Sequence, residues 1–168
     1  MHHVENINEL RKKYALCTHE SSKEEMLLHF QEVHDVKIEN VELAFINFEA
    51  FNEWKNRTEK ETKSKFIVTR GAISLKNEKK THHFVCHRSG FYVSKGKGLR
   101  HLKKQGSNKI DGYCPAEIKV FVSETGACNI KFCKTHVGHR NDISQLSLSE
   151  FEKSLNVLTL SEHFSYYK

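Results

Sequence analysis

Cys128-Asn129-Ile130-Lys131-Phe132-Cys133-Lys134-Thr135-His136-Val137-Gly138-His139 begins as a strand and ends on two imidazoles three positions apart. Within the strand half, Cys128, Ile130 and Phe132 alternate onto one face and Cys133 points to the other, the period of a half-buried β-strand. Upstream, Ile118-Lys119-Val120-Phe121-Val122 has the same β-branched and aromatic character, and Glu124-Thr125-Gly126 between the two runs has the composition of a hairpin turn. Phe66-Ile67-Val68-Thr69, Gly71-Ala72-Ile73-Ser74-Leu75, His82-His83-Phe84-Val85-Cys86 and Phe91-Tyr92-Val93 read as further short strands. Strands joined by short connections pair antiparallel. The prediction is therefore an α+β chain built on a four- to five-stranded antiparallel sheet, with N-terminal helices and a C-terminal helix flanking it.

Chemistry concentrates at one end of this sheet. Cys86 ends one strand, Cys114 opens another, and His136 and His139 follow the last, giving C-x27-C-x21-H-x2-H. Two thiolates and two imidazoles complete a tetrahedral zinc shell without an open position for a reactive water, so the expectation is a structural Zn2+ rather than a hydrolytic one. Gly138 allows the tight loop that both rings require. Cys133, three residues before His136, is the nearest substitute ligand, and Cys128 reads as a small core residue. His82, His83, His87 and His101 read as surface or strand histidines.

Three pieces of this region, His83-Phe84-Val85-Cys86, Gly112-Tyr113-Cys114-Pro115-Ala116-Glu117-Ile118-Lys119-Val120 and Thr135-His136-Val137-Gly138-His139, resemble the WRKY, GCM, FLYWCH and far-red-impaired-response zinc domains, many of them linked to Mutator-like transposases. The likeness runs from about Phe66 to His139. It departs from the families in having one more residue between the closing histidines and in lacking a WRKYGQK-like heptad. What the resemblance implies is a zinc-stabilised sheet that binds DNA.

Charge supports a polyanionic partner. The 168 residues carry a formal net charge of +6, and the mean hydropathy is -0.62. Residues 1–54 hold 5 basic and 11 acidic side chains, residues 55–109 hold 16 and 3, and residues 110–168 hold 6 and 7. The net values are -6, +13 and -1, so the modest total conceals a strongly basic middle third. Its densest part, residues 95–109, has six positive charges and no acid: Lys95, Lys97, Arg100, Lys103, Lys104 and Lys109. These, with Arg57, Lys63, Lys65, Arg70 and Arg88, are the expected phosphate contacts; Arg100, Gln105 and Asn108 could read base edges. A solvated lysine-rich loop is the alternative reading of the same charges. The glycines at 96, 98 and 106 fit neither a P-loop nor a dinucleotide fold.

Ahead of the sheet, Ser21 and Ser22 each precede a glutamate by three residues and can cap a helix carrying Met26, Phe30 and Val33. Cys17, His29 and His34 resemble part of a two-Cys, two-His finger, although Tyr14 stands where the partner cysteine belongs. Two readings stay open: a second metal site completed by His19 or water, and a metal-free amphipathic helix. Val41–Phe45 alternates as a strand. Asn47 can cap a helix whose Phe48, Phe51 and Trp54 face the sheet and which runs out over Lys55–Lys60. Ser147 and Ser149 start the expected terminal helix, with Phe151, Leu155 and Leu158 on one face. The domain reading is an acidic helical segment over 1–54, a zinc-stabilised basic sheet domain over 55–142, and a helix and tail over 143–168.

No apolar run is long enough for a membrane span, Met1–Glu5 does not begin a secretory leader, and five cysteines do not form a complete disulfide set. No nucleophile stands with a base and an orienting partner, so no enzyme and no small-molecule substrate is expected. The sequence points to a nuclear, zinc-dependent protein that binds duplex DNA, either a transcription regulator or a domesticated transposon-derived fragment, with the N-terminal segment engaging a second copy of the chain or another protein. The competing readings are a protein-interaction module and a binder of single-stranded RNA.

Overall fold

The computed structural model describes residues 12, 13, 15–18, 20–74, 80–93, 107–142, 144 and 146. In chain order the elements are β1 (Lys12–Lys13), β2 (Glu20–Ser21), α1 (Lys23–Glu32), β3 (Asn40–Phe45), α2 (Phe48–Thr62), β4 (Phe66–Ser74), β5 (Lys80–Cys86), β6 (Glu117–Val122) and β7 (Cys128–Cys133). β1 and β2 form a small antiparallel ribbon, and the other five strands make one sheet in the order β3-β7-β6-β5-β4. All of its pairings are antiparallel, as the sequence predicts. The β6–β7 connection is the expected tight turn: Gly126 takes φ +87° and Ser123 N–H donates to the Ala127 carbonyl at 2.8 Å.

One face of the sheet is apolar and α2 covers it. Phe51, Phe66, Phe84, Ile118, Val120, Ile130 and Phe132 are buried there, with Leu43, Phe45 and Trp54 packed against them. Phe51 meets Phe84 with 5.6 Å between ring centroids, and Trp54 meets Phe132 edge-on at 5.3 Å. Asn47 caps α2 by accepting from Ala50 N–H at 2.8 Å. The helix does not run out at Lys55–Lys60 but continues to Thr62. Lys55 pairs with Glu59 one turn on at 2.6 Å, and the same carboxylate accepts from Phe66 N–H at 2.7 Å, tying the polar end of α2 to the start of β4. The expected division at 54/55 therefore falls inside α2, and residues 40–45 supply an edge strand of the sheet.

Two strand expectations change. Phe66–Thr69 and Gly71–Ser74 are parts of one strand, β4, whose register shifts twice between Val68 and Ile73, and Leu75 lies outside the described residues. Phe91-Tyr92-Val93 is not a strand; beyond Cys86 the backbone turns away, and among the described residues 87–93 the pairing is a Gly90–Gly112 bridge, with Gly90 at φ +101°. These three side chains are 51, 55 and 70% exposed.

A second core lies at the ligand end of the sheet. α1 starts at Ser22, which forms the reciprocal capping box with Glu25. Its Met26 and Phe30 are buried with Tyr113 and Val137, and Ala15, Cys17, Val36 and Ile38 pack around them. The expected terminal helix over 143–168 lies outside the described residues apart from Ser144 and Leu146. Among the described residues no helix is long and apolar enough to cross a membrane.

Candidate metal centres

Cys86 follows Phe84 by two residues and so faces the same buried side, at the last position of β5. Its N–H donates to the Ala116 carbonyl at 3.0 Å, and its carbonyl accepts from Ser89 N–H at 3.0 Å. Cys114 precedes β6 rather than opening it, and its N–H donates to Ser89 Oγ at 3.1 Å. The 134–139 loop is anchored on the far side. Lys134 N–H donates to the Glu39 carbonyl at 2.9 Å, and Thr135 Oγ1 donates to the Lys37 carbonyl at 3.1 Å while accepting from Glu39 N–H at 2.8 Å.

These anchors bring Cys86, Cys114, His136 and His139 together as a group that could hold a metal ion, all four donor atoms lying within 4.8 Å of one another. Cys86 Sγ is 3.4 Å from His139 Nε2, Cys114 Sγ is 3.3 Å from the same nitrogen and 3.6 Å from His136 Nδ1. A hydrogen bond from Cys114 drives the Cys86 thiol far below its usual range, more than offsetting burial and helped by contacts from His136, His139 and His87. The same bond, with burial, pushes Cys114 far up. A lowered thiol beside a second sulfur and two imidazoles is a donor set that suits a soft cation. On the opposite edge of its ring, His139 Nδ1 lies 3.1 Å from the Arg140 carbonyl, so this nitrogen donates and Nε2 is left with its lone pair toward the sulfurs. The His136 ring leans on Phe66 at 5.9 Å.

Cys133 and Cys128 stay outside the group. Both are buried, and burial raises both thiols. Among the predicted bystanders, His82 packs on Phe48 at 4.7 Å and is shifted down by burial and then by Lys80, and His87 Nδ1 lies 3.2 Å from the Lys65 carbonyl. His101 lies outside the described residues.

A second group, Cys17, His29 and His34, also converges within 4.8 Å. Cys17 sits between β1 and β2, His29 in the last turn of α1, and His34 just beyond it. Cys17 Sγ is 3.3 Å from His29 Nε2, and the two Nε2 atoms are 3.2 Å apart. Tyr14 and His19 lie outside the described residues.

The expected phosphate contacts divide. Lys95, Lys97, Arg100, Lys103 and Lys104 lie outside the described residues, and Arg70 is on β4. Arg88 and Lys109, both half-buried, bond backbone carbonyls near the first centre. Lys109 Nζ donates to the His87 and Ser89 carbonyls, both at 2.8 Å; burial lowers its pKa against the opposing pull of the Cys86 charge. Arg88 donates from Nε to the Asn108 carbonyl and from its terminal nitrogen to the Arg140 carbonyl, each at 3.2 Å. Arg57 and Lys63 are exposed on and after α2.

One buried ionic junction carries no sequence motif. Glu117, at the start of β6, pairs with Lys23 of α1, with His83 Nε2 at 2.9 Å and with Lys119 at 3.6 Å. Burial alone would raise its pKa, but the hydrogen bonds from His83 and Lys23 and the nearby lysine charges outweigh it and hold the carboxyl at about 2. Its sequence signal is weak, because the partner on α1 lies 94 residues away. No family model, curated protein or solved structure matches this chain.

Proposed function

We propose that the chain is a zinc-dependent DNA-binding protein of the nucleus, a transcription regulator or a domesticated transposon-derived fragment. The observation that carries this reading is the convergence of Cys86, Cys114, His136 and His139 at the root of the basic segment. A tetrahedral zinc with bonds of about 2.3 Å to sulfur and about 2.0–2.1 Å to nitrogen separates its sulfur and nitrogen donors by about 3.5 Å. The sulfur-to-nitrogen distances of 3.3, 3.4 and 3.6 Å fit that spacing. Zinc there would neutralise the thiolates and fix three segments: the end of β5, residues 112–116 and the 136–139 loop. Four protein donors leave it a structural role.

The basic segment leaves and rejoins the chain at this centre. Cys86 stands before it and Cys114 after it, and Arg88 and Lys109 join the described residues on its two sides through backbone carbonyls. The described residues on either side of the five positive charges of residues 95–104 are thereby tied to one another. The resemblance to WRKY- and FLYWCH-type domains supports the same reading.

The test is duplex affinity against salt. Five phosphate contacts give a slope of about -4.5 in log K against log salt, and replacing Lys103 and Lys104 by alanine should flatten it by roughly two contacts. A salt-independent affinity, or an unchanged slope in that variant, overturns the reading. Exposed Phe91 and Tyr92 beside the segment favour a second reading, stacking of single-stranded bases; tighter binding of single-stranded RNA than duplex DNA in direct competition would select it.

A further inference from the structure

We propose that Cys17, His29 and His34 bind a second zinc-type metal ion, and that this ion latches the N-terminal segment onto the ligand loop of the first centre, so that the two ions bind with positive coupling. The latch rests on the zinc reading of the sheet centre; the second site itself does not.

The case for the site is one of proton counting. His29 Nε2 faces both Cys17 Sγ at 3.3 Å and His34 Nε2 at 3.2 Å. One ring nitrogen carries at most one hydrogen, so it can make a directed bond to one of these neighbours, and the other contact then sets lone pairs or protons against each other. A cation among the three atoms resolves both contacts at once. The spacings also fit: about 3.5 Å for sulfur and nitrogen and about 3.3 Å for two nitrogens around tetrahedral zinc. Two imidazoles and one thiolate suit zinc over the hard cations. The described residues supply three donors, which leaves the fourth position to solvent.

The case for coupling is one of contact. Val137, flanked by the ligands His136 and His139, is 4% exposed and packs in the same small core as Cys17, Met26 and Phe30. Gly138 lies directly against Ala15, where an added Cβ would collide. Tyr113, next to the ligand Cys114, donates its N–H to the Lys13 carbonyl at 3.0 Å. The segment that presents Cys17 is thus seated on residues adjoining three ligands of the sheet centre. An ion that orders this segment also orders that loop, and linkage makes the effect reciprocal.

The test is native mass spectrometry of the full chain with zinc, repeated for Cys17→Ser/His34→Ala and for Cys114→Ser. Two ions are expected in the wild type and one in Cys17→Ser/His34→Ala, with that remaining ion lost to a competing chelator at least about fivefold more readily than in the wild type. Cobalt substitution gives a second readout that survives local unfolding: the sulfur-to-metal charge-transfer intensity should fall from three thiolates to two. A wild type with one ion that Cys17→Ser/His34→Ala keeps and Cys114→Ser loses overturns the second site while the sheet centre stands. Two ions with an unchanged chelator profile in the double variant overturn the latch. An ion that persists in Cys114→Ser and is lost from Cys17→Ser/His34→Ala supports the second site even if the sheet centre fails.

Discussion

Gly138→Ala should separate two costs that coincide at one atom. Gly138 has φ +80°, a conformation that costs an L-residue about 1–2 kcal/mol. Its new Cβ would also overlap the Ala15 Cβ, with Ile110 Cδ1 at 3.3 Å on another side. The ligand His139 holds the loop from one direction, so relief comes from Ala15 withdrawing, which uncovers Val137; re-exposing a buried valine costs about 1.5–3 kcal/mol. The expected loss is therefore about 2.5–5 kcal/mol in urea unfolding followed by circular dichroism at fixed free zinc. Ala15→Gly removes the overlap and leaves the backbone cost. In the Ala15→Gly/Gly138→Ala chain the added cost of the second change should drop to about 1–2 kcal/mol, a coupling of about 1.5–3 kcal/mol across the cycle. A Gly138→Ala chain within about 0.5 kcal/mol of wild type, or two changes that simply add, would refute the reasoning that the N-terminal segment is seated on this loop.

Glu117→Gln should destabilise by on the order of 3 kcal/mol, the equivalent of a carboxyl held at about 2 instead of its ordinary 4.5. Because the folded value is the lower one, this contribution is complete above about pH 4.5 and fades as pH falls from there toward 2; urea midpoints of wild type and variant should therefore converge on acidification, and a constant gap would contradict the junction. Phe51→Ala empties the centre of the α2–sheet core and should cost about 3–5 kcal/mol in the same unfolding assay. Cys114→Ser should release the sheet metal and abolish the cooperative unfolding transition, whereas a variant that stays folded with the metal gone would show that the sheet stands on its apolar core alone.

Much of the candidate centre is legible in the chain because thiols and imidazoles are chemically rare, and Cys86, Cys114, His136 and His139 converge in the order and with the partners the sequence predicts. The strands are legible for a different reason: alternation such as Cys128, Ile130, Phe132 reports a buried face wherever a partner strand exists. Phe91-Tyr92-Val93 has the same local character and no partner strand among the described residues, so propensity alone misleads there. The end of α2 is obscured because Lys55–Lys60 reads as polar loop, while what extends the helix is Glu59 reaching the backbone of Phe66. Arg88 and Lys109 mislead through charge: their acceptors are backbone carbonyls, which no residue type marks. Glu117 was invisible because its meaning depends on Lys23, far away in the chain.

The strand order also sets a timetable for synthesis. β7 lies between β3 and β6, and Asn40 pairs with Cys133. As the chain leaves the ribosome, β3 and α2 emerge first; α2 can meet Phe84 once β5 emerges, but β3 has no strand to pair with until β7 follows. Trp54 waits for Phe132, a separation of 132 - 54 = 78 residues, roughly 4–16 s at about 5–20 residues per second. From their own emergence until His136 follows, Cys86 and Cys114 are thiols without their imidazole partners, open to oxidation and to stray metal. On the proposed zinc reading, capture of the ion follows completion of the sheet within a few residues, when His136 and His139 appear. A nascent chain halted before Cys133 should accordingly remain protease-sensitive throughout, and one extended past His139 should become resistant in a single zinc-dependent step.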